Sequence, residues 1–273
     1  MNIKIRGVSY HFEIHQDDPE LPSLVLLHGF MGSGQMFDHL IDELKAFCNP
    51  ITIDLLGHGR SKGAELHYRF STREQVADLS KLISGQLQVP LFLYGYSMGG
   101  RLSLQLALHR PDLFKGLILE SASFGLEGET EQQARQALDA RRADAIVGNF
   151  EGFLKEWQNK PMFQSAQIAP EILETMLSIQ QGQQPFWLSN SLLGFGTGTM
   201  PCVKNRLSDI RIPVQLIAGI NDSKFVHINN QMEKELPNGN FSAVEKAGHR
   251  VHLEQPEKLN RILKTFIQNH TPS

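Results

Sequence analysis

Short apolar runs alternate with amphipathic stretches along most of the chain. Strand-sized runs occur at 24–27, 51–53, 91–94, 116–120, 214–218 and 241–244. Between them, apolar residues recur every three or four positions, as Met36, Leu40, Ile41 and Leu44 do, and this spacing is typical of helices. Strands that alternate with helices predict an α/β protein whose mostly parallel sheet is covered by helices on both faces.

The chain ends and one helix start carry further signals. Residues 1–14 alternate polar and apolar positions around Gly7, which predicts a hairpin at one edge of the sheet. Ser71, followed by Glu74 three residues later, predicts a capping box at the start of a helix. Residues 253–267 predict a closing helix.

The alternation stops at residue 123 and resumes after residue 210. In between, 134–147, 150–158 and 171–179 have helical spacing with no strand-like run among them, and LLGFGTGTM closes the stretch at Pro201. We therefore expect a helical cap at 123–204, inserted between two parts of one core at 1–122 and 205–273.

Composition and charge exclude several classes of function. The formal net charge of −3 gives no basic surface for nucleic acid, and no apolar run is long enough to span a membrane. The first residues lack the apolar centre of a secretory signal. Cys48 and Cys202 have no metal-ligand spacing and are expected to be free thiols, which favours a cytoplasmic protein without metal or cofactor. A monomer or a small homo-oligomer is expected.

The run LFLYGYSMGG predicts a nucleophile elbow around Ser97. A buried strand stops at a Gly-x-Ser-x-Gly motif and a helix follows at once, which is the context that this motif requires. The Ser97 hydroxyl would stand above the sheet beside a helix N-terminus, where free N–H groups stabilise developing negative charge.

An acid and a base follow Ser97 at the ends of later strands. His249 is the expected base and Asp222 the acid that holds it, and the backbone N–H groups of Phe30 and Met98 are the expected oxyanion donors. His252 is a rival to His249, and Glu120 a rival to Asp222. The sequence also leaves open whether the loop of Asp222 places this acid against the histidine without substrate.

Arginines near the elbow suggest an anionic substrate. Arg101 lies four residues after Ser97, near the positive end of a helix dipole, where a cation is disfavoured. Either it pairs with a local acid such as Glu120, or it binds a substrate carboxylate. Arg135, Arg141 and Arg142 lie on the first cap helix, where they either face solvent or add a second anion clamp. From the residues alone, Tyr96 and Trp157 could line the site or belong to the core.

These stretches resemble the α/β-hydrolase superfamily over the whole chain. Among its branches, the chain is most similar to the 2-succinyl-6-hydroxy-2,4-cyclohexadiene-1-carboxylate synthases of menaquinone biosynthesis. The stretches that carry this resemblance are LHGFMGSG, DLLGHGRS, YRFSTREQVADL, GYSMGGRL, LILESASFGL, EWQNKPMF, LLGFGTGTMP, NDSKF and KAGHRVHLEQP, together with the spacing of Arg135 and Asp139.

The resemblance implies a lyase that eliminates pyruvate from an enolpyruvyl cyclohexene carboxylate, with the triad serine as the base. By position it implies a triad of Ser97, Asp222 and His249 and oxyanion donors at Phe30 and Met98. It also implies a small tricarboxylate substrate bound by Tyr96, Arg101, Arg135 and Trp157. Gln180 departs from the pattern, because the family often has an arginine there. The alternatives are a serine hydrolase of esters or carbon–carbon bonds and, less in keeping with an intact triad, a non-catalytic binding protein.

Overall fold

The computed structural model describes residues 1–62, 65, 67–164 and 168–271, and within them eight strands and ten α-helices. The strands are β1 (Asn2–Ile5), β2 (Val8–Ile14), β3 (Ser23–Leu27), β4 (Asn49–Ile53), β5 (Leu91–Tyr96), β6 (Phe114–Glu120), β7 (Val214–Gly219) and β8 (Gly239–Val244). The helices are α1 (Asp38–Leu44), α2 (Thr72–Gln86), α3 (Met98–His109), α4 (Glu129–Gly148), α5 (Phe150–Gln158), α6 (Pro170–Gln181), α7 (Pro185–Phe195), α8 (Ser223–Glu235), α9 (Val251–Glu254) and α10 (Pro256–Asn269).

All eight strands form one sheet in the order β1-β2-β4-β3-β5-β6-β7-β8. The β1–β2 and β2–β4 pairs are antiparallel and the other pairs are parallel. The predicted hairpin therefore forms one edge. β5, which carries the elbow, lies between β3 and β6. The carboxyl ends of β3, β5, β6 and β7 consequently meet at one edge of the sheet, where open parallel sheets place their ligands.

Helices cover both faces of the sheet. On one face, apolar residues of α2, α3 and α8 pack on the strands, and on the other face those of α1, α9 and α10 do so. Most apolar side chains of the central strands are fully buried, as expected of parallel strands covered twice. This arrangement confirms the predicted fold class.

Between β6 and β7, the part of the chain that the structure describes contains helices α4 to α7 and no strand. Ile146, Phe153, Leu154, Leu188 and Leu192 form an apolar cluster with Met31 of the core, so the helices close over the sheet edge. The boundaries 123–204 for this cap remain a prediction. None of the described helices is both long and apolar enough to cross a membrane.

Three local predictions were wrong. Ser71 is the N-cap of α2, but its side chain makes no capping hydrogen bond, and the Glu74 carboxylate is engaged in ion pairs with Arg6 and Arg69. The stretch LLGFGTGTM, which we expected only to close the cap, contains the last turn of a helix that was not predicted, α7, which packs against α4. The closing helix is divided into α9 and α10, with Pro256 at the first position of the second helix, where its missing N–H is tolerated.

Candidate active site

Ser97 lies at a sharp turn between β5 and α3. Its backbone has φ 50° and ψ −105°, a strained conformation for a residue with a Cβ atom, and its N–H donates to the Glu120 carbonyl oxygen at 2.8 Å. α3 passes directly over the end of β3. A Cβ atom at Gly99 would lie 2.3 Å from the Leu27 carbonyl oxygen, so only glycine permits this approach. The turn is the strand-to-helix elbow that the motif predicts.

Ser97, His249 and Asp222 form a hydrogen-bonded chain. The Nε2 atom of His249 lies 3.1 Å from Ser97 Oγ, and its Nδ1 atom lies 2.7 Å from Asp222 Oδ2. Asp222 is the N-cap of α8, and its other carboxylate oxygen accepts from the Phe225 N–H. The structure thus brings the three predicted residues together in hydrogen-bond range.

Burial sets the protonation behaviour of His249, whose exposed fraction is 2%. Desolvation lowers the pKa of its imidazole below 6.5, and the hydrogen bond and charge of Asp222 oppose this shift. His249 is therefore mostly neutral at pH 7 and can accept a proton, while Asp222 fixes which ring nitrogen carries the existing one.

The two rival residues pair with each other instead. His252 Nδ1 lies 2.7 Å from Glu120 Oε1, and the Tyr94 hydroxyl donates to the other oxygen of Glu120. All three side chains are fully buried. Glu120 consequently contacts neither His249 nor Arg101, and the expectation that it could pair with Arg101 was wrong.

Phe30 and Met98 both line the cavity above Ser97. Met98 is the first residue of α3, where backbone N–H groups have no partner within the helix. The neighbouring His28 and His58 are buried and each ring bonds to backbone, which fits the structural role expected of them, and burial lowers their pKa values to about 4 and about 3.

The cavity above Ser97 has a volume of about 380 Å³ and is lined by both core and cap. Ser97 and His249 lie on its wall, next to apolar side chains such as Leu192 and Phe195. Five basic residues also line it: Arg101, Arg135, Arg142, Lys160 and Lys224. The cavity is therefore suited to an anion with several negative groups.

Arg101 reaches from α3 toward the end of α7. Its Nη1 atom donates to the Phe195 carbonyl oxygen at 3.0 Å, and its Cζ lies 5.1 Å from the centre of the Phe195 ring. No carboxylate among the described residues forms an ion pair with it. Burial, and secondarily the charge of Arg135, lower the pKa of its guanidinium to about 9, so it stays charged at neutral pH. An incoming carboxylate would meet an unpaired cation beside the elbow.

One acid holds two cap arginines in place. Asp139 accepts from Arg135 Nε at 2.8 Å and from Arg142 Nη1 at 3.2 Å. The glycine-rich exit from α7 permits this packing, since a Cβ atom at Gly198 would lie 2.7 Å from the Gln132 carbonyl oxygen of α4. Burial and the charge of Arg135 lower the pKa of Arg142. A single carboxylate thus faces two guanidiniums and leaves an excess of positive charge.

Trp157 lines the cavity between two cations, with Arg142 Cζ at 5.7 Å and Lys160 Nζ at 5.3 Å from its ring centre. Burial, and then Arg142, lower the pKa of Lys160. Tyr96 is placed differently. Its buried ring packs on His252 at 4.3 Å and on His249 at 5.6 Å, and it is not among the described residues that line the cavity.

The sequence did not single out Lys160 or Lys224. It left open whether Arg142 faces solvent or binds an anion. Gln180 is buried on α6, accepts a hydrogen bond from Gln158 and lies away from the cavity lining. The signal that could have found Lys160 is its place three residues after Trp157, at the end of a cap helix. Arg142 and Lys160 supply positive charge where Gln180 does not.

Fold, elbow and cap together define an α/β-hydrolase. Residues 22–256 match the family described as alpha/beta hydrolase fold, and the chain belongs to it. Solved structures with lower sequence identity share the fold, such as an esterase of Thermogutta terrifontis at a TM-score of 0.81 and 23% identity.

Relatives with higher sequence identity indicate which family within the α/β-hydrolases the chain belongs to. A Bacillus subtilis (strain 168) protein with the provisional name 2-succinyl-6-hydroxy-2,4-cyclohexadiene-1-carboxylate synthase is 38% identical, over 90% of each chain. The synthase of that name from Serratia proteamaculans is 26% identical over 94% of this chain and 97% of its own. The structure of MenH from S. aureus superimposes at a TM-score of 0.85, with 30% identity over 96% of this chain and 98% of that one. Within the α/β-hydrolases, the chain belongs to the family of these synthases.

Proposed function

We propose that the protein is a lyase that eliminates pyruvate from 2-succinyl-5-enolpyruvyl-6-hydroxy-3-cyclohexene-1-carboxylate, giving 2-succinyl-6-hydroxy-2,4-cyclohexadiene-1-carboxylate for menaquinone biosynthesis. The names of the relatives support this product. The observation that carries the proposal is the cavity itself, where five basic residues surround Ser97 and His249. The substrate has three carboxylates, which match such a lining.

The first step is removal of a proton from ring carbon 2, which is acidified by the adjacent succinyl ketone. Neutral His249 takes the proton of Ser97 Oγ, and the serine oxygen takes the carbon-bound proton. Negative charge moves to the ketone oxygen. It is stabilised there by the backbone N–H group of Phe30, in the loop after β3, and by that of Met98 at the start of α3.

The second step breaks the bond between carbon 5 and the enolpyruvyl oxygen. The electron pair of the enolate formed in the first step makes a double bond between carbons 2 and 3. The double bond between carbons 3 and 4 then moves to carbons 4 and 5. The leaving enolate of pyruvate takes up one proton, so one pyruvate is released for each diene formed. Ser97 therefore acts as a base throughout, and no acyl-enzyme is formed.

The substrate carboxylates are expected on the basic residues. Arg101 lies nearest to the elbow in the chain and lacks an acidic partner among the described residues, so it is assigned one carboxylate. Arg135 and Arg142 on α4, with Lys160 after α5, are assigned the others. Trp157 positions Arg142 and Lys160, and Tyr96 supports His249 from behind.

Stoichiometric pyruvate release tests the proposal. The substrate is generated in situ, and pyruvate is measured with lactate dehydrogenase and NADH. Ser97→Ala is expected to lose about 10³-fold or more in kcat. Arg101→Gln is expected to lose about 10- to 100-fold in kcat/KM, since a charged hydrogen bond to a carboxylate contributes about 1.5–3 kcal/mol.

Arg110→Gln is the matched control, because Arg110 is paired with Asp112 at the surface away from the cavity. A folded wild-type protein that releases no pyruvate would contradict the proposal. A burst of acyl-enzyme from activated esters, with no dependence on Arg101, would indicate a serine hydrolase instead.

A further inference from the structure

Ser121 lies beside Ser97 on the floor of the cavity. Tyr96 of β5 pairs with Glu120 of β6 in parallel register, so the residues that follow these strands are neighbours. The Ser121 N–H donates to the Ile217 carbonyl oxygen at 2.9 Å, which continues the sheet on its other side. Ser121 is thus the equivalent of Ser97 on the next strand, and it also lines the cavity.

The hydroxyl of Ser121 has no hydrogen-bond partner among the described residues, and the residue has an exposed fraction of 0%. Several other buried polar atoms in the described ranges are also unpartnered, but of the residues that carry them Ser121 alone lines the cavity. A buried hydroxyl without a partner is costly, and buried polar groups in native proteins are usually paired. The missing partner is therefore expected to come from a molecule in the cavity.

The backbone gives a second, independent sign. Ser121 has φ 48°, close to the 50° of Ser97, and both are residues with a Cβ atom in a conformation that favours glycine. Strain of this kind clusters at functional sites. A serine at this cavity-lining position has a backbone cost that glycine would avoid, and what it adds is a hydroxyl.

We propose that Ser121 Oγ hydrogen-bonds to the ring hydroxyl of the bound substrate, an assignment that rests on the proposed function. The substrate carboxylates match the arginines and lysines, and its ketone matches the two backbone N–H groups. Two neutral polar groups remain, the enol ether oxygen, which only accepts a hydrogen bond, and the ring hydroxyl, which both donates and accepts. A serine hydroxyl both donates and accepts, as this group requires, and it would hold the ring over Ser97 without adding charge.

The test compares Ser121→Ala with Ser121→Gly in the pyruvate-release assay. Both variants are expected to lose about tenfold in kcat/KM, which is about 1.4 kcal/mol at 25 °C. Ser121→Gly should in addition melt at a higher temperature than Ser121→Ala, because it relieves the backbone strain. Ser80→Ala is the matched control. Ser80 is a buried serine on α2 with an unpartnered hydroxyl away from the cavity, and its variant is expected to keep wild-type kinetics.

A substrate analogue that lacks the ring hydroxyl separates this contact from a general loss. With the 6-deoxy compound, wild type and Ser121→Ala are expected to have equal kcat/KM. Unchanged kinetics of both Ser121 variants with the true substrate would overturn the assignment alone. Wild-type activity in Ser121→Gly together with a loss in Ser121→Ala would also overturn the assignment. That result would indicate that the backbone conformation, and not the hydroxyl, determines kcat/KM. A wild-type protein that releases no pyruvate would overturn the proposed function and this assignment with it.

Discussion

At the scale of single residues, burial and pairing decide which titratable groups can react. His249 and His252 are both buried, and each bonds to one carboxylate. They differ in what the second ring nitrogen, Nε2, contacts. His249 Nε2 faces Ser97 Oγ, whereas His252 Nε2 has no partner among the described residues. Only the first arrangement can pass a proton to and from the serine, so geometry separates two histidines that are three positions apart.

The acid side of the pH profile should reflect His249. The base must be neutral, so activity is lost as the pH falls through its pKa. Burial lowers that pKa, and the nearby Arg250 adds to the effect, while Asp222 and Glu120 oppose it. We expect the acid limb of kcat/KM to have its midpoint below 6.5. The measurement is kcat/KM from pH 4.5 to 8 at constant ionic strength, and a midpoint above 6.5 would contradict it.

The Ser, Asp and His positions could be predicted because each follows a strand end, and strand ends meet at one edge of a parallel sheet. Arg142, Lys160 and Lys224 could not be assigned in this way. Whether a helix arginine faces solvent or a cavity depends on how the cap is rotated over the core. Packing between distant segments sets that rotation, and periodicity within one helix does not reveal it.

At the scale of elements, one core residue joins the cap to the loop of His249. Arg250 directly follows His249, and its Nη2 atom donates to the Phe163 carbonyl oxygen at 2.8 Å. Its Nη1 atom lies 3.1 Å from Met176 Sδ on α6, and its Cζ lies 4.7 Å from the centre of the Phe163 ring. That ring also contacts His249 at 5.9 Å between centroids. The cap and the histidine loop are therefore mechanically connected.

Arg250→Met should loosen that connection. The substitution keeps an apolar stem but removes the donor to Phe163, and hydrogen bonds from charged groups contribute about 1.5–3 kcal/mol. We expect kcat/KM to fall about 10- to 100-fold and the cap to be cleaved faster in limited proteolysis. Arg110→Met serves as the surface control. Unchanged proteolysis of the cap would argue against the connection.

Two glycines in helices should respond oppositely to alanine. Gly99→Ala places a Cβ atom 2.3 Å from the Leu27 carbonyl oxygen, so backbone must shift and the free energy of unfolding should fall by about 1–3 kcal/mol. Gly85 on α2 is exposed and has no atom within 4 Å of an added Cβ. Gly85→Ala should stabilise by about 0.5–1 kcal/mol. Urea denaturation measures both, and equal effects would contradict the packing argument.

The same packing explains which elements could be predicted. The central parallel strands β3, β5, β6 and β7 are mostly continuous apolar runs, and such runs have few alternatives in an alternating chain. α7 was not predicted, and its last turn contains Gly194. Phe70 approaches this turn so closely that a Cβ atom at Gly194 would lie 2.6 Å from the Cβ atom of Phe70, a contact with a distant segment that the sequence of α7 does not reveal. Likewise, the Glu74 carboxylate is not available for the capping box because it pairs with Arg6 from a distant segment and with Arg69, five residues earlier.

At the scale of the whole molecule, charge is distributed unevenly. The chain has a formal net charge of −3, yet five basic side chains line one cavity, so the remaining surface is acidic overall. Among the residues that the structure describes, Asp139 alone forms ion pairs with these cations, and it pairs with Arg135 and Arg142. A cleft lined by one sign of charge, with apolar walls, concentrates the field and attracts ligands of the opposite sign. A trianionic substrate should therefore be guided into the cavity before any specific contact forms.

Salt should weaken this guidance without changing the chemistry. Screening shortens the reach of the field to about 10 Å at 0.1 M salt and about 3 Å at 1 M. With potassium chloride raised from 0.02 to about 0.5 M, kcat/KM is expected to fall about tenfold while kcat stays constant, because contacts inside the cavity are screened much less than the field outside it. Lys160→Gln should reduce the slope of log kcat/KM against log salt, since it removes one of the charges that create the field.

A surface variant such as Lys155→Gln, which removes an equal charge from an exposed i,i+4 pair with Glu151, should leave the slope unchanged. Equal slopes in all three proteins would mean that the cavity cations act only after binding, as local contacts to carboxylates, and not through a field that extends beyond the entrance.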